Sequence, residues 1–285
     1  MPPSSRNAPK MENKMTYETL LVERRDQITT ITLNRPKSKN AMNPQMHFDM
    51  CTALAEVERD EECRVLVLTG AGDSFCAGMD LKEYFYDTEN KPVERGAARK
   101  AAFEWMFRKL RLLPKPTIAA VNGWCFGGAF AWLAVCDFAV ASETATFGLS
   151  EVNWGIIPAG GVTKLVTSLL APRDARYLVM TGKPVSGKQA AEMRLVNWAV
   201  PPEKLRETTL ELAEELKKKN PAVLASCKEV LRIDQNLSLE DAILWETAKW
   251  TELDAVAKKT WHKGVKQFKE EKSFRPGLET YKWKE

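Results

Sequence analysis

The run Asn122-Gly-Trp-Cys-Phe-Gly-Gly-Ala-Phe130, preceded by Thr117-Ile-Ala-Ala-Val121 and followed by Phe147-Gly-Leu-Ser-Glu-Val-Asn-Trp-Gly155, decides how this chain folds. Thr117 to Val121 is short, apolar and partly β-branched, so it reads as a buried strand, and Asn122-Gly123 breaks it. Gly127 and Gly128 come next, and the apolar segment Ala129 to Val135 reads as a helix. A strand, a glycine turn and a helix point free backbone N–H groups beyond the helix N-terminus. There the dipole favours negative charge and the missing Cβ atoms permit close approach. The site can hold an oxyanion. Phosphate cradling is the competing use, but the run lacks the Lys-Ser/Thr ending of a P-loop and the spacing of a dinucleotide fingerprint. On these residues alone, tight strand-helix packing explains the glycines equally well.

Glu151 stands in a run with little polar competition, among Phe147, Leu149, Val152, Trp154, Ile156 and Ile157. Most glutamates are solvated, and one set in an aromatic and aliphatic run departs from that rule. Burial there raises its pKa toward the range useful for general acid-base work, which makes Glu151 the candidate base.

Working outward, Leu20 to Glu23 and Ile28 to Leu33 read as strands, and Asn43-Pro44 opens an amphipathic helix to about Asp60 with Met46, Met50, Leu54 and Val57 on its apolar face. Val65 to Leu68 is the next buried strand, followed by Ala77-Gly78-Met79-Asp80 turning into a helix. Residues 86 to 100 are polar and read as an exposed loop before a helix from Ala101 to Leu113. After Glu203 the chain reads as helices, including one from Leu239 to His262.

The 285 residues are 44% hydrophobic and 28% charged, enough to bury a full core. A net charge of +4 suits a ligand with several phosphates and gives no dense basic patch of the kind nucleic acid requires. Six cysteines with no CxxC pair, and His47 and His262 as the only histidines, argue against a metal site and for reduced thiols in a cytoplasmic protein. Residues 1–15 are polar and read as a disordered extension rather than a signal peptide, and no run is long enough to span a bilayer.

Asn34-Arg-Pro36 with Asn40-Ala-Met42, Leu66-Val-Leu-Thr-Gly-Ala-Gly72, Phe75-Cys-Ala-Gly-Met-Asp-Leu81, Lys115-Pro-Thr-Ile118, Asn122 to Gly128, Cys136-Asp137 and Phe147 to Glu151 resemble the crotonase (enoyl-CoA hydratase/isomerase) superfamily. Within it, Gly78 to Phe85, Val121 to Gly128, Leu149 to Gly155 and Lys272 to Leu278 are most similar to the hydroxycinnamoyl-CoA (feruloyl-CoA) hydratase-lyases. The resemblance implies an α/β crotonase fold of repeated ββα units in a spiral with a C-terminal helical region. The core would span residues 16–202, and residues 203–285 would mediate self-association as a homotrimer or dimer of trimers.

The same resemblance implies an acyl-CoA substrate and no further cofactor. It makes the backbone N–H groups of Met79 and Gly128 the oxyanion donors and Glu151 the catalytic base. Tyr84, Ala131, Trp154 and Thr247 would bind substrate, and Arg35, Ala77, Asp80, Leu81, Lys266 and Phe268 would bind CoA. Two positions depart from the pattern. Ala131 stands where the hydratases have a second Glu and the hydratase-lyases usually Ser or Thr, and Thr247 stands where the latter carry a phenol-binding Tyr. A hydratase or isomerase acting on another acyl-CoA, and a non-catalytic binding member of the fold, are the alternatives.

Overall fold

The computed structural model describes residues 17–283, so the extension expected over residues 1–15 lies outside the described residues. Strands β1 (Leu20–Arg25) and β2 (Ile28–Leu33) form an antiparallel hairpin across Asp26 and Gln27. Helix α1 (Pro44–Arg59) follows, started by Asn43, whose side chain accepts from Met46 N–H while Pro44 supplies the fixed φ of the first turn.

A three-part unit then repeats: a long strand of a first sheet, a short strand of a second sheet, and a helical turn. It runs β3 (Val65–Gly70), β4 (Ser74–Cys76) and the turn Leu81–Tyr86, after which α2 (Pro92–Phe103) intervenes. The next unit is β5 (Thr117–Val121), β6 (Trp124–Phe126) and α3 (Ala129–Leu133). The last is β7 (Phe138–Ser142), β8 (Thr146–Gly148) and the turn Ser150–Trp154. Helices α4 (Val162–Leu169) and α5 (Pro172–Thr181), strand β9 (Val185–Ser186), helix α6 (Gly187–Glu192) and strand β10 (Trp198–Val200) complete the two sheets. The larger has the order β1-β2-β3-β5-β7-β10, parallel beyond the hairpin, and the smaller the order β4-β6-β8-β9.

Strand alternation divides the core. Leu66, Leu68, Ala119 and Val121 face the main cluster with α1 and the second sheet. Their neighbours Val65, Val67, Ile118 and Ala120 face the other way, where α7 (Leu205–Lys218) lays Leu205, Ala213 and Leu216 over them. Burial on both faces is why these strands read as continuous apolar runs.

Two expectations fail. Residues 92–100 are helical, not a loop: Pro92 opens α2, and Ala98, Ala101 and Ala102 start a buried stripe that Trp105, Met106 and Leu110 continue through the turn Glu104–Leu110. The exposed charges Glu94, Arg99 and Lys100 disguised a helix whose inner face is only alanine at first. The long C-terminal helix is also broken. After α8 (Pro221–Asp234), α9 (Leu239–Val256) stops before Lys258 and Lys259, both at positive φ, and α10 (Trp261–Lys266) starts anew. No residue of α8 is fully buried and only Lys249 is in α9, held by Glu229 at 2.6 Å, while Leu231, Ile243, Leu244 and Trp250 stand exposed. No helix among the described residues is long and apolar enough to cross a membrane.

Candidate active site

β4, β6 and β8 lie side by side and parallel, with Cys76 opposite Cys125 and Phe126 opposite Gly148. Met79, Gly128 and Glu151 each come two or three residues after one of these strand ends. Three segments distant in sequence are thereby brought to one edge of the small sheet.

The Met79 loop is pinned by pairing with Met42: Met42 N–H donates to Gly78 O at 2.8 Å and Asp80 N–H to Met42 O at 2.9 Å. This leaves the Met79 N–H pointing away from the pair with no acceptor among the described residues, and the Gly128 N–H is equally free. Gly78 has φ 93°, and a Cβ there would meet Phe126 O at 2.8 Å and Gly128 N at 3.3 Å. Only glycine permits that approach. The two loops touch, since a Cβ on Gly128 would lie 3.2 Å from Met79 Cγ.

The Glu151 carboxylate rests on the same turn. Its Oε1 would stand 3.1 Å from a Cβ on Gly127, and its Oε2 is buried with no hydrogen-bond partner. Burial pushes its pKa above the usual 4.5, against a smaller lowering by its own backbone N–H. The expected apolar envelope needs correcting: Val152, Trp154, Ile156 and Ile157 are exposed, Trp154 at 67%. Glu151 is half-buried with its carboxylate against the glycine turn, while the residues after it face outward. An orphaned carboxylate oxygen beside two free N–H donors can polarise a carbonyl and move a proton next to it.

Arg35 and Asp80, expected to meet CoA, are engaged with each other. Arg35 Nη1 donates to Asp80 Oδ2 at 2.8 Å and to Ala41 O at 2.6 Å, and Nη2 pairs with Glu83. Asp80 Oδ1 caps the turn Leu81–Tyr86 by accepting from Lys82 and Glu83 N–H, and Asn43 Nδ2 donates to Glu83 Oε2 at 2.7 Å. Burial pushes the Asp80 carboxyl up, but Arg35 and the two N–H groups overcome that and hold it below the usual carboxylate range. These four side chains clamp the Met79 loop from behind. Sequence reasoning missed the clamp, although Asp80-Leu-Lys-Glu83 has the spacing of a capping box.

Of the remaining expected residues, Ala77 donates its N–H to Lys39 O, Leu81 is exposed, and Ala131 is a buried methyl on α3 three residues past Gly128. Tyr84 is buried on the turn five residues past Met79. Thr247, Lys266 and Phe268 sit on the C-terminal helices. Thr247 Oγ1 donates to its own helix at Ile243 O, and Lys266 pairs with Glu271 at 3.8 Å. Phe268 lines an apolar recess of about 250 Å³ with Trp261, Phe274 and Tyr281.

Two loops in contact with free N–H groups, and a desolvated glutamate against one of them, lie on repeated ββα units. The sequence profile of the enoyl-CoA hydratase/isomerase family matches residues 23–276, and the chain belongs to that family. It is 44% identical over 270 residues to a hydroxycinnamoyl-CoA hydratase-lyase of Pseudomonas fluorescens, covering 93% of this chain and 97% of the relative. It is 32% identical to a short-chain-enoyl-CoA hydratase of Clostridium acetobutylicum, covering 84% and 90%. Among solved structures, an enoyl-CoA hydratase from Bacillus anthracis superposes with a TM-score of 0.82 at 29% identity, covering 94% of this chain and all of that one.

Proposed function

We propose that this enzyme hydrates a hydroxycinnamoyl-CoA, such as the feruloyl or 4-coumaroyl thioester, and cleaves the product to an aromatic aldehyde and acetyl-CoA. The observation that carries the chemistry is Glu151 resting on the Gly127 turn beside the free N–H groups of Met79 and Gly128. The 44% identity to the Pseudomonas enzyme favours the acyl group.

The thioester oxygen sits between the two N–H donors, each worth on the order of 3 kcal/mol to an oxyanion. Glu151 takes a proton from water as its oxygen adds to Cβ, the electron pair moves to the thioester oxygen, and the Glu151 carboxyl returns that proton to the enolate at Cα, which restores the carboxylate. In the second stage Glu151 takes the β-hydroxyl proton, the C–O bond becomes C=O, and the Cα–Cβ bond breaks with its pair passing to the enolate of acetyl-CoA. Protonation of that enolate completes the cycle. The thioester is the electron sink, so the scheme draws on no cofactor beyond the CoA ester. Ala131 has no hydrogen-bonding group, so Glu151 serves both stages alone.

CoA runs past Ala77 to Leu81, with Lys266 and Phe268 meeting its adenine, and Trp154 and Thr247 border the acyl entrance. Residues 16–202 form the CoA-binding and catalytic core. The exposed apolar side chains of α8 and α9 support residues 203–285 as the region of self-association, in a homotrimer or dimer of trimers. The unpaired thiols, among them fully buried Cys76 and Cys125, suit the reducing cytoplasm.

The test incubates purified protein with feruloyl-CoA, 4-coumaroyl-CoA and crotonyl-CoA separately, following products by liquid chromatography with Glu151→Gln as control. Aldehyde and acetyl-CoA from the aromatic thioesters, lost in the variant, are expected. Hydration of crotonyl-CoA alone would make this a simple enoyl-CoA hydratase.

A further inference from the structure

Behind the turn that carries Tyr84 lies a buried aromatic cluster that the reaction scheme does not use. His47 of α1 and Trp105 are fully buried, and Trp105 Nε1–H donates to His47 Nδ1 at 2.9 Å. That bond fixes the tautomer: the proton of the neutral imidazole is on Nε2. Burial pulls the imidazole pKa down to about 3, so the ring stays neutral. Nε2 is sealed from solvent and has no oxygen or nitrogen partner. Trp132 leaves its indole N–H similarly without a bond of ordinary geometry, but the Cys76 sulfur lies beside it. What stands against His47 is the Tyr84 ring, 5.5 Å away centroid to centroid and perpendicular at 77°. Beyond the stacked Trp105 ring, that perpendicular ring contact is what holds the two side chains against each other.

Tyr84 is the outward end of this chain. Its ring is 7% exposed, and its hydroxyl bonds no group of the described residues yet is not sealed off. It comes five residues after Met79, on the turn Leu81–Tyr86 that the Met79 loop leads into. We infer that His47 is a positioning residue for Tyr84 and, through it, sets the enzyme's preference for acyl groups bearing a ring hydroxyl. Thr247, exposed and bonded to its own helix, supplies no second phenol here. The orientation of one tyrosine therefore carries the discrimination, and the Trp105-to-His47 bond holds it. This rests on the hydroxycinnamoyl reading above.

The experiment compares kcat/KM for 4-hydroxycinnamoyl-CoA with that for cinnamoyl-CoA, which lacks the hydroxyl and serves as internal reference. Binding of both thioesters is measured in parallel in the Glu151→Gln background. His47→Leu is expected to lower the hydroxyl preference about tenfold, a coupling typical of residues in contact. His47→Gln, which keeps an N–H donor, should retain most of it, and adding His47→Leu to Tyr84→Phe should change the preference no further. Trp105→Phe, which removes the donor to Nδ1, is the second route if His47→Leu does not fold, and the same ratio should fall. An unchanged ratio in a folded His47→Leu or Trp105→Phe protein, or effects additive with Tyr84→Phe, overturns the inference alone. Failure of the unmutated protein to bind or turn over 4-hydroxycinnamoyl-CoA overturns the functional reading and this inference with it.

Discussion

Gly127→Ala places a methyl group where the Glu151 carboxylate now rests. Gly127 has φ 53°, so an alanine there is held in the left-handed region at about 1–2 kcal/mol. The new Cβ would also sit 3.1 Å from Glu151 Oε1, so the carboxylate must retreat by a few tenths of an ångström. For a chain of this size about 1–2 kcal/mol lowers Tm by roughly 2–3 °C. Catalysis should suffer more, because misplacing a reacting group by about 1 Å costs on the order of 100-fold, so a shift of part of that distance predicts a loss of about tenfold in kcat/KM. Thermal unfolding and the disappearance of the enoyl thioester absorbance are read on the same preparation. Gly96→Ala is the control: it lies in α2 with nothing within 4 Å of its Cβ, and should gain about 0.5–1 kcal/mol without touching kcat/KM. A Gly127→Ala enzyme that loses Tm as expected but keeps kcat/KM within twofold would refute the placement of Glu151 as base on that turn.

Asp80→Asn keeps a capping oxygen for the turn but removes the charge that Arg35 meets. It should cost about 2 kcal/mol in urea unfolding and lower kcat through the Met79 donor; unchanged kcat in the folded variant would show that the clamp does not position the donor. The Glu151 carboxyl is raised by burial, so its neutral form is the one folding favours. Its stabilising contribution is full below the usual 4.5 and is lost as pH rises through the higher folded value, so Glu151→Gln should raise Tm at pH 8 and much less at pH 4. A Tm difference that is flat across that range would contradict the desolvation. Trp250→Glu, at an exposed position of α9, should shift sedimentation toward the monomer if α9 lies at the subunit interface. An unchanged sedimentation coefficient would remove α9 from that interface.

Much of the site could be read from local sequence, because a strand followed by a glycine turn is a local signal. Gly127-Gly128 marked a strand-to-helix turn that can leave N–H groups free, the Met79 N–H came only through the family resemblance, and Glu151 was conspicuous as a carboxylate in an apolar run. The apolar run was itself misleading, since Val152 to Ile157 face outward. The side chains behind the site were not legible. The Arg35-to-Asp80 and Trp105-to-His47 bonds join residues 45 and 58 positions apart, and no periodicity encodes such pairs. The helical start of α2 was lost for the opposite reason. Its inner face is alanine, which carries helix propensity but little hydrophobic contrast against a charged outer face.

The side-by-side alignment of β4, β6 and β8 acts as a ruler. Neighbouring strands stand about 4.8 Å apart whatever sequence follows them. The spacing of Met79, Gly128 and Glu151 is therefore set by sheet geometry, and the loops beyond inherit it. Ala131 and Tyr84 lie downstream of those fixed points, on α3 and the turn Leu81–Tyr86. Residues in such positions can be exchanged to suit a new acyl group while the distances that govern proton transfer stay put.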